Sequence, residues 1–241
     1  MSELVLPTKK VAPSTVNPRT LLIYSKPKSG KTSLLAGLEN NLILDLEKGS
    51  DYVEALKVPI SSIADLQSVK KQLEAAGYPY KYVTIDTVTA LEELAKGLAL
   101  ANYRQTPMGK SFTGKSVLDL PQGAGYLHLR NAFFSLIDFV KTFSEFTILS
   151  GHIKDKVINE SGNIVDAANV DLSGKIKSMI CAQADTIGYL YRKGNKTIIN
   201  FKSNDEVICG SRSPHLRNKE IEIAEMGDDD ILTTHWDQIY K

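Results

Sequence analysis

A polyphosphate-binding pattern runs from Ser25 to Thr32 with the sequence SKPKSGKT. It fits the phosphate-loop pattern GxxxxGK[ST] at each fixed position except the first, where Ser25 replaces glycine. Gly30 lets the backbone turn its amides toward phosphates, Lys31 reaches the β- and γ-phosphates, and the Thr32 hydroxyl is a Mg²⁺ ligand. The pattern predicts an ATP and Mg²⁺ site made by Ser25, Lys26, Pro27, Lys28, Ser29, Gly30, Lys31, Thr32 and Ser33. A basic strand-to-helix turn without a ligand is the alternative.

A second segment, Gly109–Ser116 (GKSFTGKS), matches the same pattern without a fault. It follows a predicted helix rather than a strand, and Pro121 and Gly123 prevent a long helix after it. The strand-loop-helix arrangement that holds a nucleotide is therefore not predicted here. Two interpretations stay open: a plain surface loop, or a loop that contacts the phosphates of a nucleic-acid backbone.

Polar residues end three further apolar segments. Asp86 follows KYVTI, and an acid at this point can hold the water shell of Mg²⁺ beside Thr32. The segment NLILDLE contains Asp45 and Glu47, and a carboxylate there can polarise a water that attacks the γ-phosphate. A capping or salt-bridged acid is the alternative. His152 follows FTILSG, where a polar side chain can contact the γ-phosphate and sense its loss.

Short apolar segments alternate with helical patterns between these residues. We predict strands over 20–24, 41–46, 81–85 and 146–150, helices over 31–39, 63–76, 88–102 and 126–143, and a closing β-pair over 185–192 and 197–203. This alternation predicts an α/β fold with a mainly parallel sheet flanked by helices. Two long loops, over 103–125 and 154–174, interrupt the pattern and are expected to be functional.

Composition limits the classes of protein. The 241 residues are 42% apolar and 24% charged, which excludes a disordered or fibrous chain. A formal net charge of +1 argues against a globally basic nucleic-acid coat. Cys181 and Cys209 do not form a disulfide scaffold or a zinc motif. Because no apolar run approaches a membrane span and the N-terminus lacks a signal block, we expect a cytoplasmic protein without membrane contact.

Charge divides the chain into three parts. Residues 1–18 are predicted to form an extended basic arm, residues 19–215 a nucleotide-binding core, and residues 216–241 an acidic C-terminal segment. Both ends are interpreted as solvated.

The order of these motifs resembles the RecA-type recombinase core. That core carries a phosphate loop, a strand ending in Asp-x-Glu, a strand ending in Asp-Ser/Thr and a strand ending in a polar sensor. The counterparts here are SKPKSGKT, Asp45-Leu46-Glu47, Asp86-Thr87 and His152, and the resemblance covers roughly residues 19–215. It is strongest to the phage-encoded RecA-like ATPases of the Sak group of single-strand annealing proteins, also described as a phage nucleotide-binding AAA family. The resemblance implies that Glu47 activates water and that His152 replaces a glutamine sensor.

The resemblance also implies that the two long loops bind single-stranded DNA. The first loop has an excess of positive charge, and Phe112 and Tyr103 can stack on bases. The second loop is acidic as well as basic, so its case depends on position alone. The implied DNA contacts are Arg104, Lys110, Phe112, Lys115, Lys154 and Lys156. A disordered or partner-facing segment is the alternative for either loop.

The implied activity is DNA-dependent ATP hydrolysis that supports annealing or homologous recombination of a phage in the host cytoplasm. The implied assembly is a homo-oligomeric ring or filament, with a single-strand-binding protein as a further partner. In such assemblies a basic residue reaches the neighbour's γ-phosphate, and Arg212 is the first candidate before Arg217. A surface arginine in a Ser-Pro turn is the alternative. Two other classes stay open: a nucleotide-dependent binding module that does not hydrolyse, and a P-loop kinase of a small molecule.

Overall fold

The computed structural model describes Leu6 and residues 8–155, 157–158, 164–204 and 206–241. The predicted DNA contact Lys156 lies outside these residues. Within the described ranges, no helix is both long and apolar enough to cross a membrane.

Strands and helices alternate along most of the chain. In chain order the strands are β1 (Thr20–Ser25), β2 (Asn41–Asp45), β3 (Lys57–Pro59), β4 (Tyr82–Asp86), β5 (Phe146–Lys154), β6 (Val157–Ile158), β7 (Ile164–Asp166), β8 (Asn169–Val170), β9 (Thr186–Lys193), β10 (Lys196–Asn200), β11 (Gly210–Ser211), β12 (Glu220–Met226) and β13 (Leu232–Thr234). The α-helices are α1 (Lys31–Ala36), α2 (Ile63–Ala75), α3 (Val88–Gln105), α4 (Gly125–Val140) and α5 (Ile176–Gln183). Short 3₁₀ turns lie at Gly109–Ser111, Val117–Asp119, Pro121–Gly123 and Trp236–Gln238.

The main sheet has the strand order β13-β12-β10-β9-β1-β5-β4-β2-β3. The pairs from β9 to β3 are parallel, whereas β10, β12 and β13 add antiparallel pairs at the other end. The prediction of an α/β fold with a mainly parallel sheet and a terminal antiparallel β-pair is confirmed. The second long loop contains the short strands β6, β7 and β8, so it has more regular structure than its polar sequence indicated.

Strand β1 shows why the sheet is covered on both faces. Every residue of β1 is buried, as expected for a strand between two layers. Leu22 and Tyr24 pack into a core with helices α2, α3 and α4. Leu21 and Ile23 point to the opposite face and pack with α1 and the C-terminal residues.

The C-terminal residues complete the second core. The sequence indicated a solvated acidic segment over 216–241, but β12 pairs with β10, and Trp236, Ile239 and Tyr240 are buried. The Trp236 Nε1 atom donates a hydrogen bond of 3.0 Å to the carbonyl oxygen of Leu34 in α1. The difference arises because the run of aspartates occupies only the exposed turn between β12 and β13, while apolar residues of β12 such as Ile221 and Ile223 are buried.

Truncation of the buried indole tests this packing. We expect Trp236→Ala to lower the free energy of unfolding by about 3–5 kcal/mol, because it removes a buried aromatic ring and leaves a cavity. Urea denaturation followed by circular dichroism measures the change. The control is Asp228→Ala in the exposed turn, which we expect to stay within about 0.5 kcal/mol of the wild type. Equal stability of the two variants would show that the C-terminal residues do not stabilise the core.

Candidate functional site

The carboxyl ends of the parallel strands bring the predicted site residues together. The strand register pairs Ser25 with His152, Asp86 with Ser150, and Asp45 with Asp86. Adjacent strands lie about 4.8 Å apart, so these positions form a continuous row along one edge of the sheet. The loop after β1 begins at the same edge and leads into α1.

The loop from Ser25 to Thr32 has the backbone conformation of a tight turn. Gly30 has φ 88°, a left-handed value that glycine adopts without strain. The Lys31 ammonium is buried, and its Nζ atom donates a hydrogen bond of 3.0 Å to the Ser25 hydroxyl. The hydroxyl groups of Ser25 and Ser29 are 2.5 Å apart. Ser25 therefore orients the lysine in a way that glycine at this position would not.

Electrostatics at Lys31 act in two directions. Burial lowers the pKa of its ammonium, whereas the carboxylates of Asp86 and Glu47 raise it. The lysine is thus a cation held in a partly dehydrated position between the loop and the acidic residues. An ammonium in this environment gains more from a bound phosphate than an exposed one does.

Thr32 and Asp86 form a pair of oxygen groups beside the loop. The Thr32 hydroxyl donates a hydrogen bond of 2.9 Å to Oδ2 of Asp86, and the Ser150 hydroxyl donates one of 2.7 Å to Oδ1. Burial raises the pKa of the Asp86 carboxyl, and the hydrogen bonds from Ser150 and Thr32 together with the charge of Lys31 oppose this.

This pair fits Mg²⁺. The ion prefers oxygen ligands, keeps several waters, and is usually held by one or two protein groups together with substrate phosphates. Within the described ranges, no three His, Cys, Asp or Glu residues form a metal-binding group. A hydroxyl and a carboxylate next to a phosphate loop therefore suit a metal that enters with a nucleotide.

Glu47 lies at the centre of a polar cluster next to Thr32 and Asp86. The Thr87 hydroxyl donates a hydrogen bond of 2.5 Å to Oε1 of Glu47. The Nε2 atom of His152 lies 3.0 Å from Oε1 and 3.1 Å from Oε2 of the same carboxylate. The other ring nitrogen of His152 is buried and has no hydrogen-bond partner among the described residues. The structure thus places the two predicted γ-phosphate residues in direct contact.

Asp45 has a different role from Glu47. Its carboxylate accepts hydrogen bonds from the backbone amides of Glu47 at 3.1 Å, Gly49 at 3.3 Å and Ser50 at 3.1 Å, and also from the Ser50 hydroxyl. Burial raises the pKa of Asp45, but the hydrogen bonds from Ser50 and the backbone outweigh it and hold the pKa below its usual value. Asp45 caps the turn after β2, whereas the Glu47 carboxylate contacts the Thr87 and His152 side chains instead.

The faultless second motif does not form a nucleotide cradle. Gly109 begins a 3₁₀ turn that follows α3, and a Cβ atom on Gly109 would lie 1.9 Å from the Tyr103 carbonyl oxygen. Phe112 is half-buried, and its ring packs edge-on against Tyr103 with centroids 5.4 Å apart. Arg104 donates a hydrogen bond of 2.9 Å to the carbonyl oxygen of Gly114. Lys110 and Lys115 are both exposed, whereas Phe112 is half-buried, so the predicted DNA contacts in this loop differ in accessibility.

Arg212 lies near the amino ends of the parallel strands, at the opposite end of the sheet from the loop Ser25–Thr32. Its Nη1 atom is 3.3 Å from Oδ1 of Asp185, and its Nη2 atom donates a hydrogen bond of 2.6 Å to the carbonyl oxygen of Ala182. Asp185 also accepts the backbone amide of Thr20, where β1 begins. Arg217 contacts the carbonyl oxygen of Arg212. Neither arginine is therefore brought to the phosphate loop of its own chain.

Sequence reasoning missed two groups near these loops. Arg192, at the end of β9, lies against Gly30 of the phosphate loop. Tyr126 and Arg130, one helical turn apart on α4, line a pocket of about 380 Å³ together with Lys175. Tyr126 and Arg130 are four residues apart, a spacing that places both on one face of a helix and is visible in the sequence. The position of Arg192, by contrast, depends on which strand lies beside β1.

The fold and these contacts define a P-loop NTPase core. A family model described as an AAA domain matches residues 17–213, so the chain belongs to this AAA-domain family. No curated protein matches the sequence significantly.

Two solved structures are similar over most of their length. A KaiC-like protein from the hyperthermophilic archaeon Pyrococcus horikoshii is 14% identical, with a TM-score of 0.46 over 90% of this chain and 89% of the other. The RadB recombinase is 12% identical, with a TM-score of 0.45 over 91% of this chain and 92% of the other.

Proposed function

We propose that the protein binds ATP with Mg²⁺ and hydrolyses it at the carboxyl edge of the sheet. The observation that carries this proposal is the placing of Glu47 beside the phosphate loop, in contact with Thr87 and His152. The hydrogen-bonded residues Thr32 and Asp86 and the buried Lys31 lie next to this cluster. Phosphate-binding, metal-binding and water-activating groups thus occur in the order that phosphoryl transfer to water requires.

The chemistry follows from the positions of these side chains. Lys31 binds the β- and γ-phosphates, and Thr32 and Asp86 are the residues that would hold Mg²⁺. When bound, the ion would offset negative charge that develops on the phosphoryl oxygens. Glu47 accepts a proton from the attacking water. The water oxygen forms a bond to the γ-phosphorus while the bond between the γ-phosphorus and the β–γ bridging oxygen breaks. His152 positions Glu47 through their hydrogen bond.

A nucleotide-dependent binding module that does not hydrolyse is the second candidate. The observation that favours it is the engagement of both Glu47 oxygens, because a carboxylate bound to Thr87 and His152 is less available to a water. An ATPase assay of the wild-type protein with Mg²⁺ separates the two candidates, since the module binds nucleotide without turnover.

The second part of the proposal is binding of single-stranded DNA. The pocket that Tyr126 lines combines an exposed aromatic ring, 52% accessible, with the cationic side chains of Arg130 and Lys175. Aromatic rings and cations of this kind bind single strands by stacking on bases and neutralising phosphates. The exposed Lys110 and Lys115 lie in the loop that precedes α4.

A buried carboxylate fixes the backbone of Ser173, which lines the other side of this pocket. Glu92 on α3 accepts the backbone amide of Ser173, with distances of 3.3 Å and 3.1 Å to its two oxygens. Helix α3 begins directly after Thr87, which contacts Glu47. The pocket is therefore connected to the nucleotide site through one rigid helix, which supports stimulation of hydrolysis by DNA.

Variants of the pocket and of the loop should affect DNA binding differently. We expect Tyr126→Ala to weaken binding of an oligothymidylate about 10- to 100-fold, because base stacking contributes about 1–3 kcal/mol per base. The double variant Lys110→Ala with Lys115→Ala should instead flatten the dependence of the binding constant on salt, since fewer counterions are released. Fluorescence anisotropy at several salt concentrations measures both effects.

The control for Tyr126 is Tyr52→Ala. Tyr52 is a fully exposed tyrosine in the loop after β2, away from the pocket, and its removal should leave affinity unchanged. Equal affinity of the Tyr126 variant and the wild type would move the DNA site away from this pocket.

Annealing or homologous recombination in a phage completes the proposal, on the strength of the motif order and the positions of the two loops. A ring or filament would allow Arg212 to reach the nucleotide of a neighbouring subunit. A single-strand annealing assay with and without ATP tests this last step.

A further inference from the structure

Arg192 covers one side of the phosphate loop. A Cβ atom on Gly30 would lie 3.5 Å from Nη2 and 3.8 Å from Nε of Arg192, so the guanidinium lies beside the loop, in the space next to Gly30 that a side chain there would enter. The contact exists because β9 is parallel to β1, with Ser25 paired with Leu190. Arg192 lies two residues beyond this pair and extends over the loop.

The guanidinium has no other role in the described part of the chain. Arg192 is exposed, and no described residue forms a hydrogen bond or an ion pair with its side chain. Its neighbour Lys193 is also exposed, and alternation along the strand directs it to the opposite face. An arginine fork that has no partner among the described residues and lies next to a phosphate loop is suited to bind phosphate oxygens or to stack on a planar base.

The strand order indicates which end of the nucleotide Arg192 meets. Glu47 follows β2, Asp86 ends β4 and His152 lies in β5, and all three strands are on one side of β1. Strand β9 is on the other side. A nucleotide whose γ-phosphate faces Glu47 therefore extends its α-phosphate and nucleoside away from that side.

We propose that Arg192 binds the nucleotide at its α-phosphate and nucleoside end, within the same chain. This inference rests on the proposed nucleotide binding and adds a binding residue that lies outside the motifs. It makes a distinct demand: ADP and ATP share this end, so Arg192 must contribute to the affinity of both. A residue that contacts the γ-phosphate, in its own chain or a neighbour's, would contribute only to that of ATP.

Calorimetric titration of ADP and of the slowly hydrolysed analogue ATPγS, each with Mg²⁺, tests the proposal. We expect Arg192→Gln to weaken both affinities by the same factor, about tenfold or more, because charge-assisted hydrogen bonds are lost. Arg192→Lys should recover part of the affinity, since it keeps the charge but not the planar fork. Lys193→Gln removes one positive charge from the same hairpin and should leave both affinities unchanged.

Tripolyphosphate, which lacks the nucleoside, separates the two contacts at this end. If Arg192 bonds to phosphate oxygens, the Arg192→Gln variant should also bind tripolyphosphate more weakly; if it stacks on the base, tripolyphosphate affinity should not change. A loss confined to ATPγS, or wild-type affinity for both nucleotides, would overturn the proposal. Either of these two results for the variant is compatible with nucleotide binding by the wild-type protein. Failure of the wild-type protein to bind either nucleotide would instead refute the proposed function itself. Thermal melting of each variant confirms that it is folded.

Discussion

Lys31→Ala is expected to weaken ATP binding at least about 100-fold, because the ammonium makes charge-assisted hydrogen bonds that contribute about 1.5–3 kcal/mol each. Lys31 is buried and oriented by the Ser25 hydroxyl, so its position is fixed before a nucleotide arrives. Calorimetric titration with ATPγS and Mg²⁺ measures the loss. Lys31→Met keeps most of the apolar stem and should show the same loss, which separates the missing charge from altered packing.

Lys115→Ala is the matched control, since Lys115 is the corresponding lysine of the faultless motif at Gly109–Ser116. Lys115 is exposed in a loop that follows a helix, so its removal should leave ATP affinity unchanged. If the Lys115 variant loses ATP and the Lys31 variants keep it, the nucleotide site lies in the other loop. Retained affinity in all three variants would exclude both loops.

The grouping of the candidate site residues could be predicted from the sequence, because it depends on the local order of strands and polar residues. Asp86 ends β4, and His152 follows the apolar part of β5, which continues to Lys154; parallel strands bring such positions to the same end of the sheet. Local context also distinguished the imperfect loop at Ser25 from the perfect one at Gly109. The resemblance selected Glu47 over Asp45, and the coordinates add that Asp45 is the carboxylate that accepts the amides of the turn.

Features that depend on long-range pairing could not be predicted. Arg192 meets Gly30 only because β9 lies beside β1, and no spacing in the sequence records that neighbour. Trp236 packs on α1 from nearly the far end of the chain, while the aspartates before it gave the segment the composition of a solvated tail. The polar second loop likewise forms short strands whose pairing is not visible in its composition.

Glu47→Gln is expected to lower the rate of ATP hydrolysis about 10²- to 10⁴-fold, because a neutral amide does not accept the proton of the attacking water. The amide keeps the shape of the side chain and can still accept the Thr87 hydroxyl through its oxygen. Nucleotide affinity should therefore be retained. Steady-state phosphate release, with and without single-stranded DNA, gives the rate, and titration with ATPγS gives the affinity.

Asp51→Asn is the control for this change, because Asp51 is an exposed carboxylate in the same loop after β2. It should hydrolyse ATP at the wild-type rate, which would separate loss of the Glu47 base from loss of negative charge near the loop. Turnover in the Glu47→Gln variant equal to that of the wild type would show that another group activates the water. An absence of turnover in the wild-type protein, together with tight ATPγS binding, would favour the non-hydrolysing module, in which Glu47 serves to hold Thr87 and His152.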